Sequence, residues 1–176
     1  MIVYLANLFN NANYSVANSA STSKTHGVGE TGHHYNSLSE LGSILDGLNP
    51  RSAPLERIFC IANYLLLTSS YYHYIAQRTH VYQSLRAEAT DLVLNYRPRG
   101  EAERMCFIFH GMLMVRTWIT TKNALEDQGL SLLANLKHRF SEVRHWEKFE
   151  VVMQMYPLVP PARVEWKKCW LQSHPV

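Results

Sequence analysis

The sequence is short of nearly everything that announces a chemistry. It has three cysteines, Cys60, Cys106 and Cys169, far apart and with no Cys-x-x-Cys pair among them. Such an odd, scattered set argues against a secreted disulfide framework. It suits a reducing compartment in which each thiol is small apolar filler. Charge is also sparse, with 17 Lys and Arg against 14 Asp and Glu, a net of +3. That excess is too small to point to nucleic acid or to a membrane surface. No apolar run reaches the roughly 18 residues of a membrane span. The nearest, around Ile58–Leu67, is interrupted by Cys60 and Asn63. The opening MIVYLANLF lacks a basic flank and passes at once into NNANYSVANSAS, which leaves no room for a secretory signal. These absences together predict a soluble intracellular protein. The abrupt start hints at a fragment of a longer reading frame.

Catalytic signatures are missing too. There is no G-x-S-x-G elbow, no H-E-x-x-H and no Cys/His zinc spacing. GVGETG, Gly27 to Gly32, is glycine-rich but lacks the Gly-Lys-Ser/Thr of a phosphate loop, and no strand precedes it. The nine histidines invite a metal hypothesis, and Glu142 with His145 has the Glu-x-x-His spacing of di-iron bundles. Such a site needs a second motif on a facing helix. The only other match, Glu30 with His33, falls in a polar arm. No metal, cofactor or catalytic residue is therefore assigned. RPRGEAER mixes arginines with glutamates and reads as a solvated turn.

What is present is helical periodicity. A chain of 176 residues suits one domain. Residues 10–36, rich in Asn, Ser, Thr, Gly and His, have too few apolar groups to offset their ordering entropy. We expect a disordered arm over 1–36 and a helical domain over 37–176. Ser37 and Glu40 form a capping box, after which Leu38, Leu41, Ile44, Leu45 and Leu48 follow helical spacing until Asn49-Pro50. A second helix starts near Ser52 with Pro54 in its first turn and carries the stripe Leu55, Ile58, Phe59, Ala62, Leu65 and Leu66. It continues through or breaks near Thr68–Ser70. A third is expected over 79–96, ending at the breakers Pro98 and Gly100. A fourth runs from about Glu101 to Thr120 and is apolar on more than one side, as a central helix is. A fifth spans about Ala124–Phe140, and a sixth starts after Ser141 as N-cap, using Trp146, Phe149, Met153 and Tyr156. No alternating strand pattern and no internal repeat occur. The fold class is all-α, an irregular multi-helix bundle of about six to seven helices.

Three of the chain's tryptophans lie in the tail HWEKFEVVMQMYPLVPPARVEWKKCW, residues 145–170. Trp166 and Trp170 fall on one face of a short terminal helix, with Arg163, Lys167 and Lys168 beside them. Such a helix is marginal alone, but two indole rings anchor it to a bundle. Pro157, Pro160 and Pro161 let the chain reverse first. On physical grounds the tail closes the core. The middle segment supplies the other candidate, a His/Tyr-rich inter-helix cleft using Tyr72, His73, His80 and His110. The neighbouring tyrosines, Tyr64, Tyr71, Tyr74 and Tyr82 among them, read more simply as core packing with hydroxyls at the surface.

The order of helix types also resembles the C-terminal end of the helical regulatory domain in fungal zinc-cluster transcription factors. The corresponding text is ERMCFIFHGMLMVRTWI, LSLLANLKHRF, HWEKFEVVMQMYPLV and VEWKKCW, with RIFCIANYLLL and VYQSLRAEATDLVLNY upstream. The likeness covers about residues 38–171. It implies a nuclear, non-enzymatic regulator of transcription working through protein partners of the transcription machinery or a DNA-binding partner, and it admits a small-molecule effector. The family's six-cysteine DNA-binding module has no counterpart, since Met1–Tyr35 contains no cysteine. Direct DNA binding and membrane binding are therefore not expected. The alternative from the residues alone is an all-α small-molecule-binding protein or enzyme built on the His/Tyr cleft.

Overall fold

Asn49-Pro50 and Pro98 with Gly100 mark two of the turns, and most of the described residues are helical. The computed structural model describes residues 28–76, 80–120, 126–156 and 160–172. These form seven α-helices: α1 (Val28–Gly47), α2 (Pro54–Ala76), α3 (His80–Asn95), α4 (Glu101–Thr120), α5 (Glu126–Arg139), α6 (Trp146–Gln154) and α7 (Pro160–Gln172). A 3-10 turn, Ser141–Arg144, joins α5 to α6. No strand occurs among the described residues, so the all-α expectation holds.

Two boundaries differ from the periodicity reading, and a third point left open there is decided. Helix α1 begins at Val28, so Ser37 lies inside it and is not its cap. Composition predicts whether a segment can bury a face, not whether its backbone is helical. The stretch from Val28 to Asn36 contains no proline to stop the first helix from extending backwards. The rest of the expected arm, 1–27, lies outside the described residues. Helix α2 runs unbroken through Thr68–Ser70, where the Thr68 hydroxyl donates to the Tyr64 carbonyl at 2.6 Å. Ser141 does not cap α6. Buried Phe140 and Val143 draw the chain into the 3-10 turn, and His145 takes the cap position without a side-chain cap bond.

Helix α4 is the axis of the bundle. Its residues from Phe107 to Val115 are all buried, so it meets neighbours on every side. It packs most extensively against α2 and α5, and α6 and α7 also lie against it. Gly111 permits the close approach to α5: a Cβ there would lie 3.1 Å from both Leu136 methyls. Tail helix α7 begins with Pro160 and Pro161, where a missing N–H removes no helical bond. It buries Trp166 and Trp170. Trp166 meets Phe109 and Phe149 at 5.5 and 5.7 Å between ring centroids, and Trp170 meets Trp146 edge-on at 5.9 Å. The tail closes the core as its tryptophan spacing predicts.

Arginines from distant segments satisfy the carbonyl ends of these helices. Arg57 of α2 donates through Nη1 to the Leu45 and Leu48 carbonyls, both at 2.7 Å, at the end of α1. Its remaining face forks onto Glu88 of α3, Nε to one oxygen and Nη2 to the other at 2.9 Å. Arg139 bonds the Val93 and Tyr96 carbonyls at the end of α3 (2.8 and 2.5 Å) while lying over Phe107 and Phe140. Carbonyls with no intrahelical partner attract a planar cation that can bond two at once. Arg57 joins three helices, so its loss strands the Leu48 carbonyl and a half-buried carboxylate, while the Leu45 carbonyl keeps the Leu48 N–H. Arg57→Leu is expected to cost about 2 kcal/mol in urea denaturation, discounted for the solvent that still reaches Glu88. Arg57→Lys should recover less than half of that, because an ammonium cannot reproduce the fork.

Candidate functional site

Three elements meet at one cleft, open to solvent beside the exposed Met155. The first turns of α2 bring Leu55, Glu56 and Phe59, and α4 brings Cys106 and His110 one turn apart. The end of α6 brings Met155 and Tyr156. The space between them is about 130 Å³. Tyr156 reaches it because α6 tightens at its end. The Met155 N–H turns to the Val152 and Met153 carbonyls and the Tyr156 N–H bonds Met153 at 3.1 Å. The Tyr156 ring stacks on Phe109 at 3.8 Å between centroids and lies nearly parallel to Phe59 at 6.5 Å. His110 sits 4.8 Å from the Phe59 ring.

The polar groups form a line through this apolar setting. The Tyr156 hydroxyl is 2.9 Å from His110 Nε2, and the Cys106 thiol lies against the same hydroxyl. His110 Nδ1 has no hydrogen-bond partner. The Leu55 backbone favours a proton on the ring. The Tyr156 hydroxyl donates to Nε2 or accepts from it according to which nitrogen carries the single N–H of the neutral imidazole.

Burial sets the ionisation of both groups. It pulls the His110 pKa down to about 3, so the ring is neutral at physiological pH. Burial, followed by the effects of Cys106 and Glu56, pushes the Tyr156 hydroxyl well above its ordinary range. An acid–base pair needs groups that exchange protons near neutral pH, and these are driven away from it in opposite directions. Cys60, buried on α2, is raised to about 12, chiefly by desolvation, and is not a thiolate nucleophile. The arrangement is suited to holding a neutral molecule rather than to transferring a proton.

The expected site residues are distributed as follows. His110 lines the cleft, whereas His80 is exposed at the start of α3 and does not line it. Tyr72 and His73 lie on α2 and their side chains are outside the described residues. The tail residues Trp146, Phe149, Tyr156, Trp166 and Trp170 are all buried, and Pro157 is outside the described residues. Tyr156, assigned to the tail on periodicity alone, is the direct partner of His110. Sequence reading missed Leu55, Glu56 and Cys106 as lining residues. The i, i+4 spacing of Cys106 and His110 was the one available signal.

Other candidates are weaker. Glu142 and His145 do not share a helical face: Glu142 sits in the 3-10 turn, paired with Arg104, and His145 is exposed before α6. No group of three His, Cys, Asp or Glu side chains able to hold a metal occurs among the described residues. A wide surface groove of about 700 Å³ runs between α3 and α5, lined by Arg86, Thr90, Asp91, Gln128 and others. Arg86 already bonds Gln128 across it. No helix among the described residues is long and apolar enough to cross a membrane. The chain matches no protein-family model, no curated protein and no solved structure.

Proposed function

We propose that this chain is a non-enzymatic transcription regulatory domain of the kind found in fungal zinc-cluster transcription factors. It acts in the nucleus through protein partners of the transcription machinery or a DNA-binding partner, and it answers to a small-molecule effector. The observation that carries the reading is the end of the bundle. A Trp-led helix, α6, is followed in the sequence by Pro157 and in the structure by α7, whose Trp166 and Trp170 pack back toward α4 and α6. That is the helix order from which the family resemblance was drawn. The neutral, proton-locked His110–Tyr156 pair adds support, since a regulatory domain needs a place for a ligand and no acid–base chemistry.

The test is a fusion of the whole chain to an unrelated DNA-binding domain upstream of a reporter. The expected result is a several-fold change in output that Trp166→Ala abolishes by unseating α7. A fusion that is soluble and folded, yet leaves the reporter at the level of the bare DNA-binding domain, counts against the reading. The second reading, a small-molecule-binding protein without a role in transcription, is favoured by the cleft itself and predicts that null reporter result. An enzyme has less support, because neither His110 nor Cys60 is poised for proton transfer or attack.

A further inference from the structure

We propose that the adjoining C-terminal ends of α3 and α5, with Arg97, Arg99 and Arg144 outermost, dock an acidic segment of a protein partner. The proposal names the kind of partner that the regulatory reading calls for, and it rests on that reading for the partner's role alone.

The chain's charge is concentrated at this end of the bundle. Residues 97–104 and 137–148 hold seven Lys and Arg against four Asp and Glu, a surplus equal to the +3 of the whole sequence. The fold brings the two stretches together. Arg139 in the last turn of α5 bonds the Val93 and Tyr96 carbonyls at the end of α3, and Arg104 of α4 pairs with Glu142 of the 3-10 turn. Arg97 donates to the same Tyr96 carbonyl at 3.1 Å, so two guanidinium groups share one oxygen. Neither has a carboxylate partner among the described residues. Burial, and after it the charge of Arg97, lowers the Arg139 pKa, as happens when two cations are held together with no anion between them.

Capping accounts for only part of this charge. A helix C-terminus carries about half a negative charge, so two ends offset about one cation. Five are gathered here: Arg97, Arg99, Lys137, Arg139 and Arg144, the last held through Nε on the Lys137 carbonyl at 2.8 Å. Two of the carboxylates in these stretches are engaged. Glu103 accepts from the Tyr96 hydroxyl and the Arg99 backbone N–H, and Glu142 is paired with Arg104. Arg97, Arg99 and Arg144 remain exposed.

Their geometry suits carboxylates. Arg97 and Arg144 are each held on backbone carbonyls by some of their nitrogens, while Arg97 Nε and Nη2 and Arg144 Nη1 have no partner among the described residues. A tethered guanidinium loses little freedom on binding and can grip a carboxylate through two N–H groups. Leu94, 37% exposed, is the last α3 residue of the α3–α5 groove and lies one turn before Arg97. It offers contact to one aliphatic side chain beside the acids. A nucleic-acid backbone fits less well. Its binders neutralise about six to ten phosphates, whereas the surplus here is three and Glu101 and Glu147 stay exposed within the same stretches.

The probe is a short fluorescein-labelled peptide repeating Asp-Asp-Leu, titrated into the full chain at about 50 mM salt and followed by anisotropy. A dissociation constant of roughly 10–100 µM is expected, weakening as salt is raised. The same peptide with Asn for Asp should not bind measurably. The Arg99 side chain makes no hydrogen bond or ion pair among the described residues, so Arg99→Glu leaves the fold alone and should weaken binding about tenfold. Arg97→Gln should weaken it about threefold. Arg163→Glu makes the same charge change at the start of α7 and should leave affinity within about twofold of wild type. Absence of binding to folded wild-type protein overturns the proposal, as does equal binding of the Asn peptide. So does binding that survives both Arg99→Glu and Arg97→Gln, or an equal loss in Arg163→Glu. Tighter binding of single-stranded DNA than of the acidic peptide would assign the surface to phosphate instead. The reporter fusion keeps the two readings apart. If the fusion is active but the purified chain ignores the peptide, the docking surface is wrong and the regulatory reading stands. If the peptide binds as described while the fusion is inert, the surface stands and the regulatory reading fails.

Discussion

Trp166→Ala lowers the free energy of unfolding by about 3–5 kcal/mol, the largest loss expected from any single replacement in the tail. Trp166 is 1% exposed, so nearly all of its apolar surface is lost from the core. An indole of about 150–250 Å² at ~25 cal/mol per Å² gives a transfer contribution of that order, and extended-chain burial sets it as an upper bound. The neighbours add to the cost. Phe109 and Phe149 lose a ring partner, and Arg116, itself 3% exposed, loses the indole face that its guanidinium overlies at 5.1 Å. Trp170→Ala should cost about half as much, because Trp170 is 9% exposed against 1% for Trp166. Urea denaturation followed by circular dichroism measures both. Limited trypsin digestion gives an independent readout: with α7 unseated, cleavage at exposed Arg163, Lys167 and Lys168 should accelerate. A Trp166→Ala loss below about 1 kcal/mol would mean that α7 is not docked on the bundle.

Burial periodicity is legible in one sequence, and spatial conjunction is not. The central helix could be read from Phe107 to Val115 because no polar face interrupts that run, and Arg97-Pro98 with Gly100 fixed where it begins. The closing role of α7 could be read from two tryptophans one turn apart. The start of α1 could not, because polar composition between Val28 and Asn36 reports a lack of apolar surface and says little about backbone conformation. Ser141 has the chemistry of an N-cap, yet the burial of Phe140 and Val143 and the bond from Arg144 to the Lys137 carbonyl at 2.8 Å hold the segment in a 3-10 turn. Tertiary packing outweighed a local preference of about 1 kcal/mol. The cleft was hidden for a different reason. His110 carried a sequence signal, but Tyr156, its partner, lies 46 residues away, just past the end of α6. Periodicity assigns both to the core and cannot report that their polar atoms meet there. The Arg57 clamp, which joins α1, α2 and α3, was invisible for the same reason.

Acidification exposes His110 as a stability switch whose direction follows from burial. In the unfolded chain a histidine titrates near 6.5, whereas in the folded protein His110 does not take up a proton until about pH 3. Between those values the unfolded state binds the extra proton, so stability is fully present above about pH 6.5 and falls as pH drops. Each unit in that window is worth about 1.4 kcal/mol. Moving from about pH 7.5 to about pH 4.5 crosses roughly two effective units, a loss of about 2–3 kcal/mol. Other groups titrate over the same range, so the informative quantity is the difference between wild type and His110→Gln, measured by urea denaturation at both pH values. The variant loses stability at neutral pH through the broken Tyr156 bond, but it should be flatter with pH by that same 2–3 kcal/mol. Burial sets the sign: the Leu55 backbone favours the imidazolium but does not outweigh desolvation, and the Tyr156 hydroxyl keeps its proton throughout. A wild-type-minus-variant difference under about 1 kcal/mol would mean that His110 is hydrated in the folded state.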